Sequence, residues 1–288
     1  MAEFKPTILR RMLALRQFPL FARAELDDLA TMAENLKPAH FSAGALIARA
    51  ASTVPTVELV VRGQIRSKSG HTWDAHDVFG ALEVAAGREL TSAAIAATDI
   101  DTLELPAADF ADLLEDNFGV MLSTLRDLAG RLIATAPVPA RPVPIVAGEG
   151  PLGLVERLML LRQQLPFATA RLQPLAILAH ASEERRFSPG EIVANAGDAA
   201  TGGIVLLDGA MRARREDGVV HVLSRGQHFG FVETIAGENH SYSLEATSPL
   251  RVLSSPGHSI LDVLEDHTDV GLAMVAAFAA ALLDTQFN

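Results

Sequence analysis

The chain has 288 residues, a formal net charge of −11 and no cysteine, which excludes disulfides, thiolate metal sites and thiol catalysis. Apolar residues make up 49% and charged residues 20%, a globular composition in a length that suits two domains, each able to bury its own core. Basic residues form no dense cluster, so the surface is expected to repel duplex DNA.

In chain order, the opening MAEFKPTILRRM lacks the long apolar core of a signal peptide. Leu26, Leu29, Ala30 and Ala33 then recur at helical spacing. Phe41-Ser-Ala-Gly reads as a turn. The β-type runs Leu46-Ile47, Glu58 to Gly63 and Asp101 to Leu105 follow it, and a helix is expected from Phe110 to Ile133. Thr135 to Pro151 holds five prolines and two glycines, which favours an extended, semi-rigid linker. Two PxxP-like spacings there are read as linker stiffness.

Beyond the linker the pattern repeats. Arg157 falls on Arg11 at a shift of 146 positions, and without a gap Leu161-Arg162-Gln163 falls on Leu15-Arg16-Gln17. Phe187-Ser188 likewise falls on Phe41-Ser42, and Gly209 on Gly63. Phe229-Gly230 matches Phe79-Gly80 at a shift of 150, so the second copy carries a four-residue insertion. The second helix is expected at Leu172, Leu175, Ala176 and Ala179, and strands at Ile192-Val193, Ile204 to Gly209 and Arg251 to Ser255. A closing helix is expected from Ile260 to Leu283. A period this long is a duplication of whole domains, since solenoid units run at roughly 20–50 residues. The expected domains are 1–134 and 152–288, joined by the linker 135–151.

Both copies place Phe-Gly before a short segment and a strand: FGALEVAAGRELTSAAIA from Phe79 and FGFVETIAGENHSYSLEA from Phe229. With the helix FPLFARAELDDLATMA, the run FSPGEIVANAGD and the strand end LLDGAMRA, this resembles the cyclic-nucleotide-binding domain, as in catabolite activators and cyclic-AMP-dependent kinase regulatory subunits. The resemblance covers nearly the whole chain apart from the linker. It implies an α+β fold: two tandem β-rolls of jelly-roll type, each flanked by N- and C-terminal helices. It also implies a phosphate-binding cassette at each Phe-Gly, with ligand-binding positions Phe79, Gly80, Ala81, Leu82, Glu83, Arg88, Thr91 and Ser92 in the first copy. In the second they are Phe229, Gly230, Phe231, Val232, Glu233, His240, Ser241 and Tyr242.

In the family a short helix after Phe-Gly turns its free N–H groups to the cyclic phosphate. A glutamate after the glycine bonds the ribose, and an arginine nine residues on pairs with the phosphate. Here the glutamate position holds Ala81 and Phe231, and the arginine position Leu90 and His240. Losing two charge-assisted contacts at about 1.5–3 kcal/mol each weakens binding by roughly 10²–10⁴-fold, so ordinary cyclic-AMP sensing is not expected. Arg88 and Arg225 are off-register cations. Glu83 and Glu233, three residues after each glycine, either complement the helix dipole or occupy the space a phosphate would take.

The histidine pairs His71/His76 and His221/His228 lack a carboxylate at metal-site spacing and read as surface residues, so no metal is expected. No nucleophile elbow, Walker loop or dinucleotide fingerprint is present, and no catalytic residue is assigned. Asp27-Asp28 and Glu183-Glu184 read as solvated faces, and Trp73 and Tyr242 as core or rim residues near the cassettes. The run Val270 to Leu283 is too short for a bilayer, which takes about 20 residues, so no membrane is expected. Being apolar all round, it is expected to pair in a homodimer, to dock onto the first copy, or to lie in an internal core. The chain stops just beyond this helix, so no winged helix-turn-helix is expected. The scarcity of lysine beside arginine points to a GC-rich bacterial genome.

The expected protein is therefore cytoplasmic and non-enzymatic: a regulatory or scaffold chain that binds another protein, without cofactor. The alternatives are a small-molecule sensor for a cyclic nucleotide or another anion, and a double-barrel metal enzyme.

Overall fold

The computed structural model describes residues 6–21, 24–135, 142, 150–164, 167–168 and 170–286. Most of the linker expected at 135–151 lies outside them. The chain resolves into two compact units, Met1–Asp127 with Ala279–Asn288, and Leu128–Phe278.

In the first unit, α1 (Ile8–Leu15) and α2 (Leu26–Asn35) precede the strands. The Leu29, Met32 and Ala33 stripe of α2 is buried, as the spacing of its apolar residues requires. Arg11 donates from Nη1 to the carbonyls of Ala33 and Leu36, which terminates α2 on a cation. In the second unit α6 (Leu154–Arg162) and α7 (Leu172–Ala181) repeat the pair, and Arg157 donates in the same way to Ser182 O. The alignment of these two arginines thus has a structural cause.

The first roll has two antiparallel sheets. One runs β1 (Lys37–Phe41), β8 (Ile100–Pro106), β3 (Thr56–Arg62), β6 (Val78–Phe79). The other runs β2 (Leu46–Ala48), β7 (Ala94–Ala96), β4 (Ile65–Ser67), β5 (Thr72–Trp73). The second roll has the same order: β9 (Glu183–Phe187), β16 (Leu250–Pro256), β11 (Gly202–Asp208), β14 (His228–Phe229), and β10 (Ile192–Ala194), β15 (Ser243–Ala246), β12 (Ala210–Arg214), β13 (Val220–Ser224). Side chains alternate across each strand. Val60 and Phe79 face the inside of the first roll with Ile65, Ala94 and Ile100, while Leu206, Val252 and Leu244 do so in the second. The four inserted residues lengthen one hairpin, since β12 and β13 pair at five positions where β4 and β5 pair at two.

Each expected closing helix is two helices. α4 (Ala107–Asp116) is followed by α5 (Phe118–Thr135), and α9 (Gly257–Asp266) by α10 (Thr268–Gln286). The breaks fall at Asn117 and His267, whose backbones leave the helical region, and Asn117 Oδ1 accepts the Val120 N–H to start α5. At 19 residues α10 is also longer than the apolar run suggested, and it is long and apolar enough to cross a membrane. In this chain Val270, Met274, Phe278, Ala279 and Leu282 are buried, the pattern of a core helix.

Candidate functional site

The cassettes occupy the same place in both rolls. Gly80 and Gly230 adopt φ of 84° and 89°, a left-handed turn that only glycine enters freely, and each starts a six-residue helix, α3 (Ala81–Ala86) or α8 (Phe231–Ala236). At the arginine position the backbone is held alike. Leu90 N–H donates to Ser52 O, and His240 N–H to Asp198 O. Only the side chains differ.

Leu90 is 3% exposed and packs with Val54, Ile65, Phe79 and Ala94 inside the first roll. The position where the family carries a cation is a core residue here. His240 is half-buried, its ring tilted against Phe229 with centroids 5.6 Å apart. Burial lowers its pKa, partly offset by Asp198, so the ring is neutral at physiological pH. Arg88 is exposed and paired with Asp284 at 2.6 Å within the first unit, and Arg225 is also exposed.

The Glu233 carboxylate accepts the backbone N–H groups of Gly230 and of Glu233 itself, and burial raises its pKa. The free donors that begin α8 are thus partly met by the chain's own carboxylate. Glu83 is buried at the twin position. Tyr242, 5% exposed, sits in the second roll's core beside Phe229, and Trp73 meets Phe79 edge-on at 4.9 Å. Both rings pack against the cassette phenylalanine of their own roll. Leu82, Val232, Ser92 and Ser241 are half-buried and Thr91 is exposed; the Ser92 hydroxyl accepts the Ser69 N–H.

Two sequence readings are corrected. Phe231 does not face the roll. It is fully buried on the helix-facing side of the sheet, edge-on to Phe167 at 5.4 Å and to His228 at 5.8 Å, and it lies over Gly203 of β11. A Cβ on Gly203 would fall inside its ring. The first copy exchanges the sizes: the residues aligned with Gly203 and Phe231 are Val57 and Ala81. His228 is not a surface residue either. It is buried, its Nδ1 donates to Gln164 Oε1 at 2.8 Å, and burial pushes its pKa down to about 4. Among the described residues no three His, Asp or Glu side chains are placed to hold a metal ion.

The sequence reading missed Glu58, Thr102 and Glu104, which lie on the inner face of the first roll, and it missed the neighbourhood of His221 and His240. The signal was available: Glu58 aligns with Ile204 at the shift of 146.

Residues 184–267, from β9 to the end of α9, match the model of the cyclic nucleotide-binding domain. The second roll is a domain of that family. With its strand order repeated in the first, the chain carries two cyclic-nucleotide-binding-type β-rolls in tandem. Comparison with curated proteins finds no match. Among solved structures the chain is similar to the regulatory domain of Toxoplasma gondii PKA with cAMP, at 15% identity over 93% of this chain and 96% of that one, with a TM-score of 0.38. It is also similar to a regulatory subunit of a cAMP-independent protein kinase A from Trypanosoma brucei, at 14% identity over 93% and 91%, TM-score 0.38. The N-terminal domain of a transcriptional regulator from Streptomyces coelicolor A3(2) is 20% identical over 44% and 94%, TM-score 0.40. The family assignment rests on the sequence match and the strand order, not on these superpositions.

Proposed function

We propose that this chain is a non-enzymatic regulatory protein whose two rolls keep the shell of a cyclic-nucleotide receptor without its grip on the phosphate, and that it acts by binding another protein. One observation carries the reading: neither arginine position supplies a cation at neutral pH. Leu90 is core, and His240 is a half-buried ring whose pKa burial lowers. Glu233, satisfied by the N–H groups that begin α8, supports it. A homodimer through the half-buried Leu272, Ala276 and Ala280 of α10 is the association we expect first.

Calorimetry with cyclic AMP and cyclic GMP tests the reading. No binding tighter than about 1 mM is expected, which corresponds to roughly 4 kcal/mol; micromolar binding to the intact chain overturns it. A second reading, a sensor for a ligand in the second roll, is favoured by two ring nitrogens. His240 Nδ1 and His221 Nε2 are both buried without a hydrogen-bond partner. Loss of a ligand's affinity in both His221→Phe and His240→Phe would select it.

A further inference from the structure

The two rolls use the same ladder positions for their inner faces and fill them differently. In the second roll the central strands place Ile204 opposite Ser254 and Leu206 opposite Val252. The corresponding pairs in the first are Glu58 opposite Glu104 and Val60 opposite Thr102. Three polar side chains thus share one face in one copy only. The fold does not require them there, because the twin is built with mostly apolar side chains on the same frame.

Their surroundings make them costly. Glu58 is 6% exposed and Thr102 fully buried. The Thr102 hydroxyl approaches the Glu58 carboxyl without completing a bond, so Glu58 Oε2 and Thr102 Oγ1 each lack a hydrogen-bond partner. A buried carboxyl oxygen left unsatisfied is destabilising, and a second carboxyl directly across the ladder adds repulsion. Phe79 flanks Glu58 on the other side, with the Trp73 ring against it. The other charged groups on these elements are Lys37, opposite Glu104 at the exposed start of β1; Arg62 of β3 and His40 of β1, both paired with Asp101 of β8; Glu83 on α3; and Asp74, His76 and Asp77 in the turn before β6.

We infer that the first roll binds a small organic cation through a primary ammonium group, held by Glu58, Glu104 and Thr102 and flanked by Phe79 and Trp73. A primary ammonium has three N–H donors, enough for both unsatisfied oxygens and the opposing carboxylate. It cancels the repulsion between the two acids, and aromatic rings favour a cation beside them. An anion gains none of this. The inference goes beyond the scaffold reading and is independent of whether cyclic nucleotides bind, since it gives the first roll a ligand of opposite charge.

The test uses the intact chain and n-butylammonium chloride at constant ionic strength, read by the fluorescence of Trp73, the sole tryptophan. At pH 8 a saturable change is expected. Glu58→Gln and Glu104→Gln should each weaken it at least about tenfold, with folding verified by circular dichroism. Binding should be about 30-fold weaker at pH 5.5, where the Glu58 carboxyl, pushed up to about 7 by burial, holds its proton. Tetramethylammonium, which has the charge but no N–H, should bind at least about tenfold more weakly. No saturable response at pH 8 overturns the inference. So does a response that both glutamine variants retain, or one that tetramethylammonium matches.

Discussion

Replacing Phe231 by alanine should destabilise the second unit by about 3–5 kcal/mol, the usual cost of emptying a fully buried phenylalanine site. Gly203→Val alone should cost about 1–3 kcal/mol or more, because its side chain would overlap the fully buried Phe231 ring. Singly, each change damages the same contact from opposite sides. Combined, they rebuild the arrangement the first copy already uses, Val57 with Ala81. Valine refills most of the volume that alanine vacates, though with a different shape, so the double variant should lose only about 2 kcal/mol. It should therefore be more stable than Phe231→Ala alone, with a coupling of about 2 kcal/mol or more relative to the sum of the singles. Urea denaturation followed by far-UV circular dichroism measures all three. Were Phe231→Ala to cost under about 1 kcal/mol, or the double variant to be no better than Phe231→Ala, the placement of Phe231 against Gly203 would be wrong.

Two buried groups make stability depend on pH in opposite senses. His228 titrates at about 4 rather than 6.5, so its contribution, up to roughly 3 kcal/mol, is present above 6.5 and lost as pH falls towards 4; His228→Gln should flatten that slope in denaturation series. Glu58 titrates at about 7 rather than 4.5, so the folded state loses up to roughly 3 kcal/mol as pH rises from 4.5 to 7; Glu58→Gln should raise Tm at pH 8 and leave it nearly unchanged at pH 4.5. Leu90→Arg should cost at least about 2 kcal/mol by placing a guanidinium in an apolar cluster, and should not bring micromolar cyclic-AMP binding by calorimetry. Ala51 has φ of 52° where its twin is Gly197 at 85°, so Ala51→Gly should stabilise by about 0.5–1 kcal/mol, visible as a higher urea midpoint.

The architecture was legible because the duplication lets one half annotate the other. Turn glycines, short apolar strands and the Phe-Gly step recur at a fixed shift, and each is a local signal. Facing direction was less legible. Phe231 follows a left-handed glycine, and nothing in its immediate sequence says which side of the sheet it takes; the answer lies about 30 residues earlier, in Gly203. His228 was misread because its partner Gln164 is 64 positions away and the burial comes from elements packed over β14. The closing helices read as continuous because Asn117 and His267 break them through backbone geometry rather than through proline or glycine. Glu58 was hidden for another reason. In isolation Glu58-Leu-Val-Val is an unremarked strand, and its acid stands out only beside Ile204 and once the ladder sets it against Glu104.

The lengthened hairpin gives the halves unequal outer borders. β13 closes its sheet with Val220 and Val222 turned to solvent, whereas β5 is two residues long. A long border strand with unpaired backbone groups and exposed valines is a template for strand addition from another chain. Edge-to-edge aggregation at high concentration, as distinct from pairing through α10, should therefore involve β13, and Val222→Lys is the conservative way to blunt it.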